Sequence, residues 1–262
     1  MLVDVDGRAV YAATGGKPFD AARPVVVFIH GVAMDHSVWS LQTRWFAHHG
    51  FAVLALDLPG NGRSAGPSPE NIGRHADWLM RLLDAVGAKT AALAGHSMGG
   101  LIALEAAGRY PGRVRALALI GTMAPMPVNP EFMALARAND HKAVELMNDW
   151  SSGRRAHIGG SRTPGLWQIG DCTRLIERAA PGVMAAGLAA CNDYADGAAR
   201  AAAVRCPTLV VLGQRDQMSP LAKARAFGES IAGARVVVLP DTGHMLPVER
   251  PDEVLDALRT VL

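Results

Sequence analysis

A serine set between two glycines is the strongest chemical signal in this chain. Gly95-His96-Ser97-Met98-Gly99 fits the pattern G-x-S-x-G. It falls between a strand-like run ending near Ala94 and a helix-like run that begins after Ser97. At a sharp strand-to-helix bend, a serine hydroxyl projects above the sheet. Glycine is needed on either side, because side chains there would collide with the neighbouring strand and helix. The following helix points backbone N–H groups, and the positive end of its dipole, toward developing negative charge. The pattern alone is common; its strand–turn–helix setting is what predicts a nucleophile.

A serine hydroxyl is a poor nucleophile without an adjacent base. Among nine histidines, His244 is the candidate, in the turn Pro240-Asp241-Thr242-Gly243-His244 after the last strand-like run. The base in turn needs an acid to fix its tautomer and stabilise the imidazolium. Asp216 follows the run Thr208–Leu212 in Gly213-Gln214-Arg215-Asp216 and is favoured. Its rival, Asp241, stands three residues before His244, too close along one short loop to meet the imidazole squarely. After Ile120 come Gly121 and Thr122, and no acid. Two backbone N–H groups complete the set as an oxyanion hole: that of Met98, after the nucleophile, and that of Val32, in the loop His30-Gly31-Val32. His30 is expected to hold that loop by hydrogen bonds, and His96 to pack beside the bend.

These groups meet only if several strands end at one edge, and the pattern provides that. Leu2–Asp6 and Arg8–Ala13 flank Asp6-Gly7 as a hairpin. Pro24–Ile29 and Phe51–Leu56 are continuous apolar runs without alternation, as in parallel strands covered on both faces. Ser37–His49 reads as a helix stopped by Gly50. Ser68-Pro69 reads as the start of the next, with Ile72, Ala76, Leu79, Leu83 and Val86 at helical spacing and Gly87 as the stop. Thr90–Ala94, 98–109 and Arg115–Ile120 continue the alternation, and Thr208–Leu212, Ser219–Ile231, Arg235–Leu239 and Pro251–Leu262 resume it. Strands alternating with helices imply a mostly parallel sheet with right-handed crossovers. Between them, residues 122–203 contain no strand-like run. The expected organisation is a core of 1–121 and 204–262 with a helical cap insertion at 122–203.

Composition narrows the class. The 262 residues are 50% hydrophobic and 19% charged, with a net charge of +2, which argues against a disordered chain and a strongly basic nucleic-acid binder. No apolar run approaches the ~20 residues of a membrane span. Acids stand at positions 4 and 6, where a signal peptide would be basic and then apolar. Cysteines 172, 191 and 206 form no CxxC and no even framework, so they are expected as small buried hydrophobes in a cytoplasmic protein. His48-His49 is not a metal pair, because adjacent helical residues point about 100° apart.

His30-Gly31, Asp57-Leu58-Pro59-Gly60-Asn61-Gly62-Arg63-Ser64, Gly95-His96-Ser97-Met98-Gly99-Gly100, Pro207-Thr208 with Gly213 and Asp216, and Gly243-His244 occur in this order. Together they resemble the landmarks of the α/β-hydrolase superfamily over essentially the whole chain. The triad order Ser97, Asp216, His244 is that of the same family. The resemblance implies an α/β-hydrolase fold with a helical cap, a structural turn at Asp57–Ser64, and no metal or organic cofactor. A serine at position 97 sets aside the dehalogenases and epoxide hydrolases of this fold, which use aspartate there. Val32-Ala33-Met34-Asp35 lacks the extra glycines that lipase-type and carbon–carbon-bond hydrolase relatives often carry after His-Gly.

The cap speaks to substrate. Five of eleven methionines fall in it (Met123, Met126, Met133, Met147 and Met184), with Trp150 and Trp167. Met123, Met126, Met147, Trp150 and Trp167 are the candidate lining of an adaptable apolar pocket, against the plainer reading that most of them form the cap's own core. Arg154, Arg155 and Arg162 raise the idea of a substrate carboxylate. Eight basic and eight acidic residues balance across the cap, which favours solvated or paired arginines. The expectation is a serine hydrolase cleaving a small ester, with no nucleic-acid partner. The alternatives are an enol-lactonase or carbon–carbon-bond hydrolase, a perhydrolase-like enzyme, and a low-turnover ligand receptor keeping the same triad.

Overall fold

The chain opens as a hairpin, β1 (Leu2–Val5) and β2 (Arg8–Ala13). Asp6 and Gly7 both take positive φ, 56° and 76°, which gives the turn the twist a two-residue hairpin needs. A computed structural model describes residues 1–161 and 165–262. After the hairpin come β3 (Val25–Ile29), a short 3-10 turn at His36–Trp39, α1 (Ser40–His48) and β4 (Ala52–Leu56). They are followed by α2 (Ile72–Ala85), β5 (Ala91–His96), α3 (Met98–Arg109) and β6 (Val114–Ile120).

One sheet of eight strands results, in the order β1-β2-β4-β3-β5-β6-β7-β8, where β7 is Thr208–Gly213 and β8 is Arg235–Leu239. The hairpin and its junction with β4 are antiparallel; every pairing from β4 to β8 is parallel. Alternate residues of β3 enter different cores: Val25, Val27 and Ile29 pack on one face, Val26 and Phe28 on the other. The continuous apolar runs are therefore the mark of a sheet buried on both sides.

Between β6 and β7 the chain leaves the sheet for a helical insertion. It comprises α4 (Pro130–Arg137), α5 (His141–Ser151), α6 (Arg154–His157), α7 (Gln168–Glu177), α8 (Val183–Asn192) and α9 (Gly197–Ala203). It is tied down at Glu105, buried on α3, which accepts from Tyr194 Oη at 2.8 Å and Arg200 Nε at 2.9 Å. The chain closes with α10 (Leu221–Glu229), α11 (Leu246–Glu249) and α12 (Pro251–Leu258).

Some helix starts differ from the sequence expectation, among them that of α10, at Leu221 and not Ser219. Helix α2 begins at Ile72, capped by Asn71, whose Oδ1 accepts the Arg74 N–H at 2.9 Å. Ser68 and Pro69 stay outside it. Asparagine caps as well as serine, and here it sits directly before the first buried apolar residue. The stretch 37–49 is split, because Asp35 caps the 3-10 turn before α1 takes over at Ser40. Among the described residues, no helix is long and apolar enough to cross a membrane.

Candidate active site

Because β3 and β5 to β8 run parallel, the loops that follow them gather at one edge of the sheet, where open α/β sheets place their ligands. Ser97 follows β5 directly with φ 54° and ψ −119°. This strained conformation is rare for a residue with a Cβ. It persists because the surroundings leave no alternative. The Ser97 N–H donates to the Ile120 carbonyl at 2.9 Å. A Cβ on Gly95 would fall on the Gly99 carbonyl, and one on Gly99 on the carbonyls of Ile29 and His30.

His244 and Asp216 meet. Nδ1 of the imidazole lies 2.8 Å from Asp216 Oδ2, and both residues are buried. The other carboxylate oxygen accepts the N–H groups of Met218 at 2.9 Å and Ser219 at 2.8 Å. An ionised carboxylate only accepts hydrogen bonds, so Nδ1 carries the proton and Nε2 is left as an acceptor. Nε2 is buried and has no hydrogen-bond partner among the described residues. The residue before Ser97 touches the imidazole. The His96 ring packs tilted against that of His244, ring centroids 4.9 Å apart. Asp241 stays away: it is exposed and pairs with Arg215 at 3.6 Å.

The N–H groups of Val32 and Met98 belong to buried residues and donate to no protein acceptor among the described residues. Buried backbone donors are rarely left unpaired. His30 aims the first of them. Its Nε2 accepts the Leu58 N–H at 3.0 Å, so Nδ1 donates, to the Gly31 carbonyl at 2.7 Å. In a trans peptide the C=O and N–H point opposite ways; anchoring the Gly31 carbonyl on one side turns the Val32 N–H to the other.

Buried histidines surround the site. His96 donates from Nε2 to the His244 carbonyl at 2.8 Å, and burial pushes its pKa down to about 3. His75, under the sheet on α2, is likewise lowered to about 3 by burial. Both are neutral in the folded protein, whereas in the unfolded chain they titrate near 6.5. Their contribution to stability is therefore complete above pH ~6.5 and is lost progressively as the pH falls toward ~3. The melting temperature is expected to drop by at least ~5 °C between pH 7 and 4, and by clearly less in His75→Gln, which cannot charge. Equal slopes in thermal melts of the two proteins would contradict this.

A cavity of about 150 Å³ opens at Ser97 and Val32. Of the predicted lining, Met126, Met147 and Trp150 are there; Met123 is buried without reaching it, and Trp167 stands 68% exposed. Pro127, Val128, Phe132, Leu188, Cys191 and Met218 add to the apolar wall. Arg154 and Arg155 instead border an open cleft with Arg215 and Gln217, and Arg162 lies outside the described residues. Asp35, His36 and Asp57 cluster tightly, but every carboxylate oxygen there already accepts a donor, from Ser37, Arg178, His36 or Arg63. Asp57 also holds the segment that runs to Ser64, whose hydroxyl donates to the Asp57 carbonyl at 2.7 Å. Sequence reasoning did not find the N–H groups of Met218 and Ser219 that hold Asp216. Backbone donors leave no residue-type signal.

An eight-stranded, mostly parallel sheet with a helical insertion, a strained serine at a strand–helix bend and a carboxylate–imidazole pair at the same edge define the architecture of the α/β-hydrolase class. The chain matches the alpha/beta hydrolase family over residues 26–257 and belongs to it. It is 31% identical over 253 residues to the dihydrolipoyllysine-residue acetyltransferase component of the acetoin cleaving system of Pseudomonas putida, covering 92% of this chain but 62% of that protein's length. It is 28% identical to the pimeloyl-[acyl-carrier protein] methyl ester esterase of Aromatoleum aromaticum, covering 88% of this chain and 95% of that one. Among solved structures, a thermophilic esterase from Thermogutta terrifontis superposes with a TM-score of 0.83 at 26% identity, over 99% of this chain and 96% of the other.

Proposed function

We propose that this protein is a serine hydrolase that cleaves small carboxylic esters through an acyl-enzyme. Ser97 attacks the acyl carbon while His244 Nε2 takes its proton. Asp216 keeps the imidazole in the tautomer that makes this possible and stabilises the imidazolium. The N–H groups of Val32 and Met98 receive the oxyanion. His244 then protonates the leaving alcohol, and a water molecule repeats the sequence on the acyl-enzyme. The carrying observation is the buried Nε2, unpartnered among the described residues, of an imidazole whose Nδ1 is already committed to Asp216. An unsatisfied buried acceptor costs about 1–3 kcal/mol, which is offset once the serine hydroxyl swings onto it. Catalytic hydrogen bonds commonly tighten only when substrate binds.

The esterases among the relatives support the ester as substrate, and the helical insertion, which lends Met126, Phe132, Met147, Trp150 and Leu188 to the cavity wall, supports its reading as a cap. The cavity supports a small acyl group: about 150 Å³ is below the ~300–1,000 Å³ of drug-sized ligand sites. A graded series of p-nitrophenyl esters tests this. The value of kcat/KM is expected to peak at two to four acyl carbons, by design of the cavity, and to fall at least ~10-fold by eight. A steady rise toward long chains would overturn the substrate class. Turnover of lactones or vinylogous diketones in preference to every simple ester would replace it with the lactonase or carbon–carbon-bond reading.

A further inference from the structure

The loop that carries His244 is held by the helical insertion as well as by the sheet. The His244 N–H donates to the Ser151 carbonyl, at the end of α5, at 2.7 Å, and the Met245 N–H donates to the same oxygen at 3.1 Å. One turn further along the chain, Glu249 closes the connection. Its Oε2 accepts the Gly243 N–H at 3.0 Å and the Gly153 N–H at 3.1 Å. One carboxylate oxygen thus bridges the residue before His244 and the residue before α6. The two backbones abut so closely that a Cβ on either glycine would strike the other segment. The other oxygen, Oε1, is buried without a hydrogen-bond partner among the described residues. Burial raises the Glu249 pKa against the pull of these N–H groups. A carboxyl group kept in such a place is there for its reach.

We infer that Glu249 is a positioning residue, which clamps the His244 loop to the cap at Gly243 and Gly153 and so fixes where the imidazole stands relative to Ser97. The inference rests on the triad reading above. Its chemistry needs an acceptor of glutamate length, and the negative charge is secondary. Glutamine presents the same oxygen at the same distance, whereas aspartate is one methylene too short to span both donors. A displacement of about 1 Å in a catalytic group can lower the rate about 100-fold.

The test compares Glu249→Asp, Glu249→Gln and Gly153→Ala with the unaltered protein on a short p-nitrophenyl ester. Folding is followed by circular dichroism and thermal melting. Glu249→Asp and Gly153→Ala are expected to lose about 100-fold in kcat at nearly constant KM while remaining folded at the assay temperature. Glu249→Gln should stay within about 3-fold. Equal loss in the Gln and Asp variants would overturn the clamp in favour of a role for the charge. Unchanged kcat in Glu249→Asp, whatever its melting temperature, would reduce the contact to stability alone. The two readings fail separately. If a fluorophosphonate labels the unaltered protein no faster than Ser97→Ala, the triad reading fails. If the unaltered protein is labelled and turns over while Glu249→Asp matches it, only the clamp fails.

Discussion

Replacing Ser97 with alanine is expected to lower kcat for a short-chain ester by about 10⁴- to 10⁶-fold and to leave the fold intact. The hydroxyl caps no backbone group of α3, so its removal orphans no partner. What remains at position 97 is a Cβ in the same strained backbone, held by the Ile120 carbonyl and by the glycines that allow the close approach of β5 and α3. The loss is kinetic because the attacking atom itself is gone. On the proposed mechanism, residual turnover over water is expected from the N–H groups of Val32 and Met98, which would still polarise a bound carbonyl. Steady-state rates, with a thermal melt within a few degrees of the unaltered protein, check both halves. More than a tenth of the activity surviving in a folded Ser97→Ala protein would place the nucleophile elsewhere.

The parts of the site that were legible in the sequence are those in which a side chain and its steric setting announce each other. Gly95 and Gly99 are required by contacts that any substitution would violate, and they bracket Ser97. His244 and Asp216 could be placed because each follows a run that reads as a strand, and parallel strands bring such positions to one edge. What escaped were partners that are backbone. Met218 and Ser219 hold Asp216 through N–H groups, Ser151 receives the His244 N–H through a carbonyl, and Gly153 meets Glu249 through another N–H. The cap was the hardest part. Its methionines and tryptophans could be named as apolar, but which of them face the cavity depends on how short helices pack. Met126, Met147 and Trp150 reach it while Trp167 is left in solvent. At the start of α2, two adequate caps competed three residues apart, and burial of Ile72 decided for Asn71.

Asp216→Asn is expected to lower kcat about 10⁴-fold with almost no change in structure, and the hydrogen bonds at Asp216 say why. One oxygen faces two N–H donors, from Met218 and Ser219; the other faces Nδ1 of His244. An asparagine has one oxygen and one NH₂ group to distribute between those two sides. Turning the NH₂ toward Met218 and Ser219 would set donor against two donors in a buried place. The amide therefore keeps its oxygen there and presents NH₂ to the imidazole. Nδ1 must then accept, so the ring proton moves to Nε2, and the atom that has to take the Ser97 proton becomes a donor. The base is abolished by a change of tautomer while every heavy atom stays close to its place. Fluorophosphonate labelling of Ser97 should slow in parallel with ester turnover, since both need the same proton removed. A folded Asp216→Asn protein that retains a tenth of the normal labelling rate would show that another acid, or none, orients His244.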